Sequence, residues 1–145
     1  DEGFVEKIYQ ASQAGVKIDL LVRGICAVQP GIKGISENIT VKSVLGRFLE
    51  HSRIFHFVNG GNNEYWIGSA DLMGRNLDRR VESLVRIDKK EHQHRLQEIL
   101  DLGLSADSSS WQLSGIDWKR VSENNNGEAL LDVHSVFIHT YSRER

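Results

Sequence analysis

The chain has 145 residues, enough for one domain with its own hydrophobic core. Its 39% apolar and 26% charged residues are ordinary globular composition, and no apolar run approaches the roughly 20 residues needed to span a bilayer. The net charge of −2 says little by itself; a lone cysteine, Cys26, excludes an internal disulfide framework and fits a reducing, cytoplasmic setting, with peripheral membrane association left open.

Residues 4–14 place Phe4, Ile8 and Ala11 on one face, which predicts an amphipathic helix stopped by Gly15. Residues 16–22 (VKIDLLV) read as a buried strand ended by Arg23-Gly24, and such a helix–strand unit belongs to α/β folds. Gln29-Pro30-Gly31 and Lys33-Gly34 mark a loop, residues 39–44 alternate like a strand, and residues 46–50 form a short connector or one helical turn. Residues 52–58 (SRIFHFV) and 64–69 (EYWIGS) predict two strands of a hairpin joined through Asn59-Gly60-Gly61-Asn62-Asn63. Tyr65 and Trp66 are expected to pack that hairpin.

Residues 75–79 are irregular or one helical turn, and residues 81–87 read as a last core strand. Asp88 and Glu91 fit a capping box for a helix over 89–102, with Leu96, Ile99 and Leu100 inward. A polar break at 103–110 precedes strand or extended structure at 111–121 and a polar linker at 123–127. Residues 130–141 predict a final helix with Leu130, Val133, Phe137 and Tyr141 on one stripe; His134 and His139 read as surface decoration of that helix, as do His92 and His94 on the previous one. Cys26 reads as a small buried hydrophobe.

Charge is uneven along the chain. Between residues 21 and 87, nine basic residues, seven of them arginine, face six acids; from 88 onward seven bases face ten acids. Arginine suits phosphate because its planar fork donates two parallel hydrogen bonds, although a solvated surface would look the same.

The most informative stretch is residues 46–80. His51 and Arg53 lie two apart at the start of a strand, so period-2 geometry puts both side chains on one face. The partner strand ends in Gly68-Ser69-Ala70-Asp71, where Gly68 permits close backbone approach and Ser69 offers a hydroxyl and an amide to a phosphate oxygen. This arrangement resembles the phospholipase D superfamily, whose motif is His-x-Lys followed by Asp and a Gly-Ser-x-Asn turn. Arg53 stands where that superfamily has Lys, Asn59 is nearest to its Asp, and Asp71 stands where it has Asn.

Longer strings are more specific. ASQAGVKIDLLVRGIC (11–26), the Pro30-Gly31 to Ser36-Glu37-Asn38-Ile39 segment, GRFLEHSRIF (46–55) and GSADLMGRNLDRRVE (68–82) together resemble the last domain of polyphosphate kinase. The resemblance implies a single α/β domain, a phospholipase D-like mixed β-sheet flanked by helices. Residues 1–145 would be the second phospholipase D-like, C-terminal domain of the catalytic core, an excised fragment with a strand or two missing upstream. Residues 105–127 would be a variable loop region and 128–143 a C-terminal helix.

The resemblance also implies an activity: reversible transfer of the terminal phosphate of ATP to polyphosphate, through a phosphohistidine in a preceding domain absent here. The Mg²⁺ ligands would lie in that domain, leaving no metal site in this chain. His51, of the FLEH string, and Arg23, of VRGIC, would contact ATP phosphates, with His51 catalytic; Arg80, of NLDRR, would be a further phosphate contact. Arg53 and Arg75 are candidates for polyphosphate contacts. ATP, ADP, polyphosphate, the other domains of the polypeptide and a second copy of the enzyme are the expected partners; nucleic acid is not.

Each residue also has a plainer reading: Arg23 paired with Asp19 or Glu37, His51 as a hairpin-end histidine, and Arg80 paired with Asp78 or Glu82. Two other functions remain open on the residues: a phosphodiesterase with His51 as nucleophile, and a non-catalytic polyanion-binding module.

Overall fold

The structure, a computed structural model, describes residues 1–142. It forms two compact units, one of Asp1–Phe4 with His51–Leu100, the other of Val5–Glu50 with the chain from Asp101 onward. Together they carry a mixed α/β architecture, with two sheets flanked by helices. The one mixed sheet expected from sequence is thus divided between two sheets.

The second of these units contains most of helix α1 (Glu2–Gln13) and the strands β1 (Ile18–Leu21), β2 (Ile39–Ser43), β6 (Ser110–Ser114) and β7 (Asp117–Val121). Gly15 stops α1 as expected: at φ 86° its N–H reaches the Ser12 carbonyl and the Val16 N–H reaches that of Ala11, a Schellman closure. The sheet order is β1-β2-β6-β7, with β1 and β2 parallel and the other pairs antiparallel. Val41, 1% exposed on central strand β2, packs in a core with Ile8, Val28, Ile39 and Val133. The segment expected as strand or extended chain is a hairpin, β6 to β7, turning at Gly115 with φ 62°. The polar stretch after it is an ordered turn: the Asn124 side-chain oxygen accepts from the N–H groups of Asn126 and Glu128.

Helix α4 (Val133–Tyr141) starts later than its apolar stripe suggests. Asp132 caps it by accepting from the Ser135 N–H at 2.7 Å, while the Leu130 N–H goes to the Ser122 carbonyl. The last residue of the expected 128–143 helical region lies outside the described residues. Residues 46–50 form no helical turn.

The other unit holds an antiparallel sheet, β3-β4-β5, from β3 (Ile54–Phe57), β4 (Glu64–Gly68) and β5 (Leu84–Ile87), with one-turn helix α2 (Gly74–Leu77) and most of helix α3 (Lys90–Leu104). The predicted hairpin is present, with Ile54 opposite Ile67 and Phe57 opposite Glu64. Its turn runs through Asn59, Gly60 and Gly61 at φ 45°, 61° and 96°, which only asparagine and glycine adopt readily. Tyr65 is buried, stacks on His56 at 4.4 Å and donates its hydroxyl to Gln97 of α3.

Strand β5 is not a core strand. Among the described residues it pairs only with β4, and Leu84 and Val85 are 59% and 52% exposed. An apolar run reads alike at a sheet centre and at a sheet edge, so periodicity could not separate them. The Asp88 carboxylate lies 3.2 Å from Arg86.

Candidate functional site

The chemistry-bearing residues of the His51–Leu100 unit converge on the mouth of the β3–β4 hairpin. The hydrogen bond from the Gly68 N–H to the Arg53 carbonyl extends the pairing one step beyond β3 and sets residues 51–53 beside the chain leaving β4. Arg53 then makes two contacts with one guanidinium. Its Nε donates to Asp71 Oδ1 at 3.0 Å, and its NH1 lies 3.0 Å from His51 Nδ1. His51 and Arg53 therefore do share a side, as their spacing predicts.

A guanidinium has five N–H donors and no acceptor, and it stays protonated. His51 Nδ1 must therefore be the acceptor, and the proton of the neutral ring sits on Nε2. Asp71 is shared: Arg75 NH2 lies 3.6 Å from its other carboxylate oxygen. The Arg53 side chain is 18% exposed and that of Asp71 24%, so water screens this pair less than a surface pair. The Arg75 side chain is 64% exposed. Where the phospholipase D pattern has Lys and Asn, this chain has an ion pair.

Behind this lies a second cluster. Glu82 accepts from the Ser69 hydroxyl and, at 2.9 Å, from the buried side-chain amide of Asn76, and Arg80 Nε lies 3.8 Å away. The Ser69 hydrogen bond and then that of Asn76 hold the Glu82 carboxyl below its usual range against an opposing effect of burial, with lesser help from the charges of Arg80 and Arg53. Ser69 is consequently not a phosphate donor. Its hydroxyl proton goes to Glu82 and its amide N–H to the Ser83 carbonyl, and a phosphate oxygen needs donors. Arg80, with its side chain 62% exposed, combines the plainer reading, a Glu82 partner, with an exposed guanidinium. Asn59 is a turn residue that donates to Glu64 at 2.8 Å.

Arg23 belongs to the other unit. It follows β1, and its NH1 donates to the Glu50 carbonyl at 3.3 Å. Asp19, one of its suggested partners, lies 3.3 Å from Lys17 Nζ. In the same unit stands a residue that sequence reasoning misplaced. His134, expected on the surface of α4, is 4% exposed. Its Nδ1 accepts from the Phe48 N–H at 3.1 Å, and its Nε2 lies 3.8 Å from Glu50 Oε2. Three residues before Phe137 and seven before Tyr141, it lies on the flank of the apolar stripe, a signal of burial that its polar side chain masked. Among the described residues no three His, Cys, Asp or Glu side chains are placed to hold a metal ion.

Comparison with known proteins gives the family of the chain. The sequence pattern of the family described as polyphosphate kinase C-terminal domain 2 matches residues 1–130. The chain is 50% identical over 146 residues to a polyphosphate kinase of Streptomyces coelicolor, covering 100% of this chain and 20% of that protein. It is 48% identical over 138 residues to one of Mycobacterium avium, covering 95% of this chain and 18% of the relative. The crystal structure of polyphosphate kinase from Porphyromonas gingivalis superposes with a TM-score of 0.88 at 32% identity, over 99% of this chain and 22% of that one. The chain thus spans about a fifth of the length of the curated relatives it matches.

Proposed function

The chain belongs to the polyphosphate kinase family, and we propose that it is the C-terminal catalytic-core domain of a full-length enzyme that moves the terminal phosphate of ATP to and from polyphosphate. In this reading it supplies the groups that grip the phosphates. The nucleophilic histidine, the Mg²⁺ ligands and the remaining walls of the site come from other domains of the polypeptide, in an enzyme that assembles with a second copy of itself. Among the described residues no three His, Cys, Asp or Glu side chains fit a metal site, and the steps below are those of this chain's own residues.

The observation that carries the proposal is the Arg53–His51 contact. With Nδ1 committed to a guanidinium, His51 offers an N–H at Nε2. That N–H can donate to an oxygen of the transferred or leaving phosphate and hold the charge that develops there. Arg23 and Arg80 neutralise the remaining phosphate charge, the task that dominates catalysis of phosphoryl transfer. Arg75, the more exposed of the two arginines on Asp71, suits contact with the polymer, and Arg53 suits the orientation of His51.

The same contact weighs against a phosphodiesterase. A histidine nucleophile attacks with a lone pair on Nε2, which requires the proton on Nδ1 and an acceptor facing it. Here Nδ1 faces a donor.

The test uses the full-length polypeptide that carries this domain. ATP-dependent polyphosphate synthesis and phosphoenzyme formation are measured in wild type, Arg23→Ala, His51→Ala and the double variant. We expect each single change to cost about 100-fold or more in kcat, and the pair to cost less than the product of the two, as for groups serving one transition state. Unchanged synthesis in His51→Ala would sink the proposal. Turnover of a chromogenic phosphodiester that disappears in His51→Ala would replace it with the hydrolytic reading, and polyphosphate affinity indifferent to both substitutions would favour a passive polyanion-binding module. Residues 1–145 alone are expected to synthesise no polyphosphate.

A further inference from the structure

Residues 46–50 have neither helix nor strand, and Phe48 and Leu49 are 53% and 74% exposed. A loop so poorly packed keeps its conformation only through specific tethers. Two hydrogen bonds and one longer side-chain approach are present within its own unit, and they gather on its C-terminal end. The Phe48 N–H donates to His134 Nδ1 at 3.1 Å, the Glu50 carboxylate lies 3.8 Å from His134 Nε2, and the Glu50 carbonyl accepts from Arg23. That carbonyl belongs to the peptide bond to His51.

Histidine suits this task for a reason of geometry. One rigid ring presents an acceptor and a donor on opposite sides, so it can accept from the backbone N–H of Phe48 while its other nitrogen faces the Glu50 carboxylate. Because Nδ1 accepts from a backbone N–H, the ring carries a proton on Nε2, toward Glu50. The ring also lies close against the start of the loop. A Cβ on Gly46 would lie 2.5 Å from His134 Nδ1, so only glycine lets the loop pass that close.

We infer that His134 is a positioning residue for His51: from α4 it clamps the loop that carries His51 and so sets where the His51 N–H is delivered. The inference rests on the proposed kinase reading. His134 touches no phosphate in it; it acts through the backbone of Phe48 and Glu50.

The test again uses the full-length polypeptide. Loss of ATP-dependent synthesis in His51→Ala, measured first, establishes the reading; if that loss is absent the reading itself has failed, whatever His134 does. His134→Asn is then compared with His134→Leu. Asparagine can place its carbonyl oxygen where Nδ1 accepts from Phe48, and leucine fills similar space with no acceptor. With thermal melts confirming folded protein, we expect His134→Leu to lower kcat by about 10-fold or more at an ATP KM within about threefold of wild type, and His134→Asn to recover most of kcat. Should His134→Leu fail to fold, Gly46→Ala probes the contact from the loop side and is expected to lower kcat about fivefold or more. A folded His134→Leu at wild-type kcat, equal losses in the Asn and Leu variants, or an unaffected kcat in Gly46→Ala would each overturn the inference.

Discussion

The guanidinium of Arg53 joins His51 to Asp71, with NH1 3.0 Å from the imidazole Nδ1 and Nε 3.0 Å from a carboxylate oxygen. One planar group thereby fixes the orientation and the proton position of the residue proposed to meet the phosphate. Lysine, a single point of charge, cannot serve both partners in this geometry. Nitrogen NMR of the His51 ring is expected to report a neutral tautomer protonated at Nε2 in wild type and a mixture in Arg53→Met. The same change should lower kcat about 10-fold to 100-fold. A wild-type ring protonated at Nδ1 would contradict the assignment.

Glu82 organises the second cluster, and its carboxyl is held below the usual 4.5, first by the Ser69 hydroxyl. A depressed folded-state value means that the stabilisation is fully present above the unfolded value and is lost as pH falls through the lower, folded one. Glu82→Gln is therefore expected to melt at a lower temperature than wild type at pH 7. That difference should narrow as pH is taken below 4.5. A melting difference constant across this range would show that charge on Glu82 is not what matters.

Lys42 belongs to the basic stretch that suggested phosphate, yet its role is structural. It is 8% exposed on β2, and its Nζ donates to the carbonyls of Leu104 and Ser105 at 2.7 and 3.2 Å, closing the C-terminal end of α3. Lys42→Met removes those donors while keeping most of the apolar stem. We expect it to cost about 1–3 kcal/mol in denaturant unfolding, the penalty for stranded buried carbonyls. A stability equal to wild type would mean that water replaces the lysine.

Asp132 caps α4, the helix that carries His134. The Ser135 N–H hydrogen bond holds its carboxyl below 3.8. Asp132→Ala should cost about 1 kcal/mol at neutral pH, and Asp132→Asn, which keeps a capping oxygen, only a fraction of that. Because the folded-state value is depressed, the difference between aspartate and alanine should shrink as pH falls below 3.8. Equal stability of the Ala and Asn variants would remove the cap from the account.

Local signals were legible where a few neighbouring residues decide the outcome. The Asn59–Gly61 turn, the Gly15 stop and the common side of His51 and Arg53 all follow from backbone sterics or strand period, and all are present. Less legible were features that depend on what lies across space. Ser69 looked available to a phosphate until Glu82, thirteen residues on, was seen to take its proton. The exposed edge of β5 was hidden because an apolar run does not say how many neighbours its strand has. His134 was hidden because the helix stripe names only apolar residues, and a buried imidazole needs partners that the stripe cannot reveal.

From the residue order alone came the family strings and the α/β class, and through the resemblance those strings carry the proposed short list His51, Arg23 and Arg80, since recurring strings and side-chain periods are properties of the chain itself. Only the folded structure decided which proton His51 carries, which arginine orients it and which helix restrains its loop. Those outcomes turn on donors and acceptors brought within about 3 Å of one another from distant stretches of chain, where a hydrogen bond forms or fails over a few tenths of an ångström.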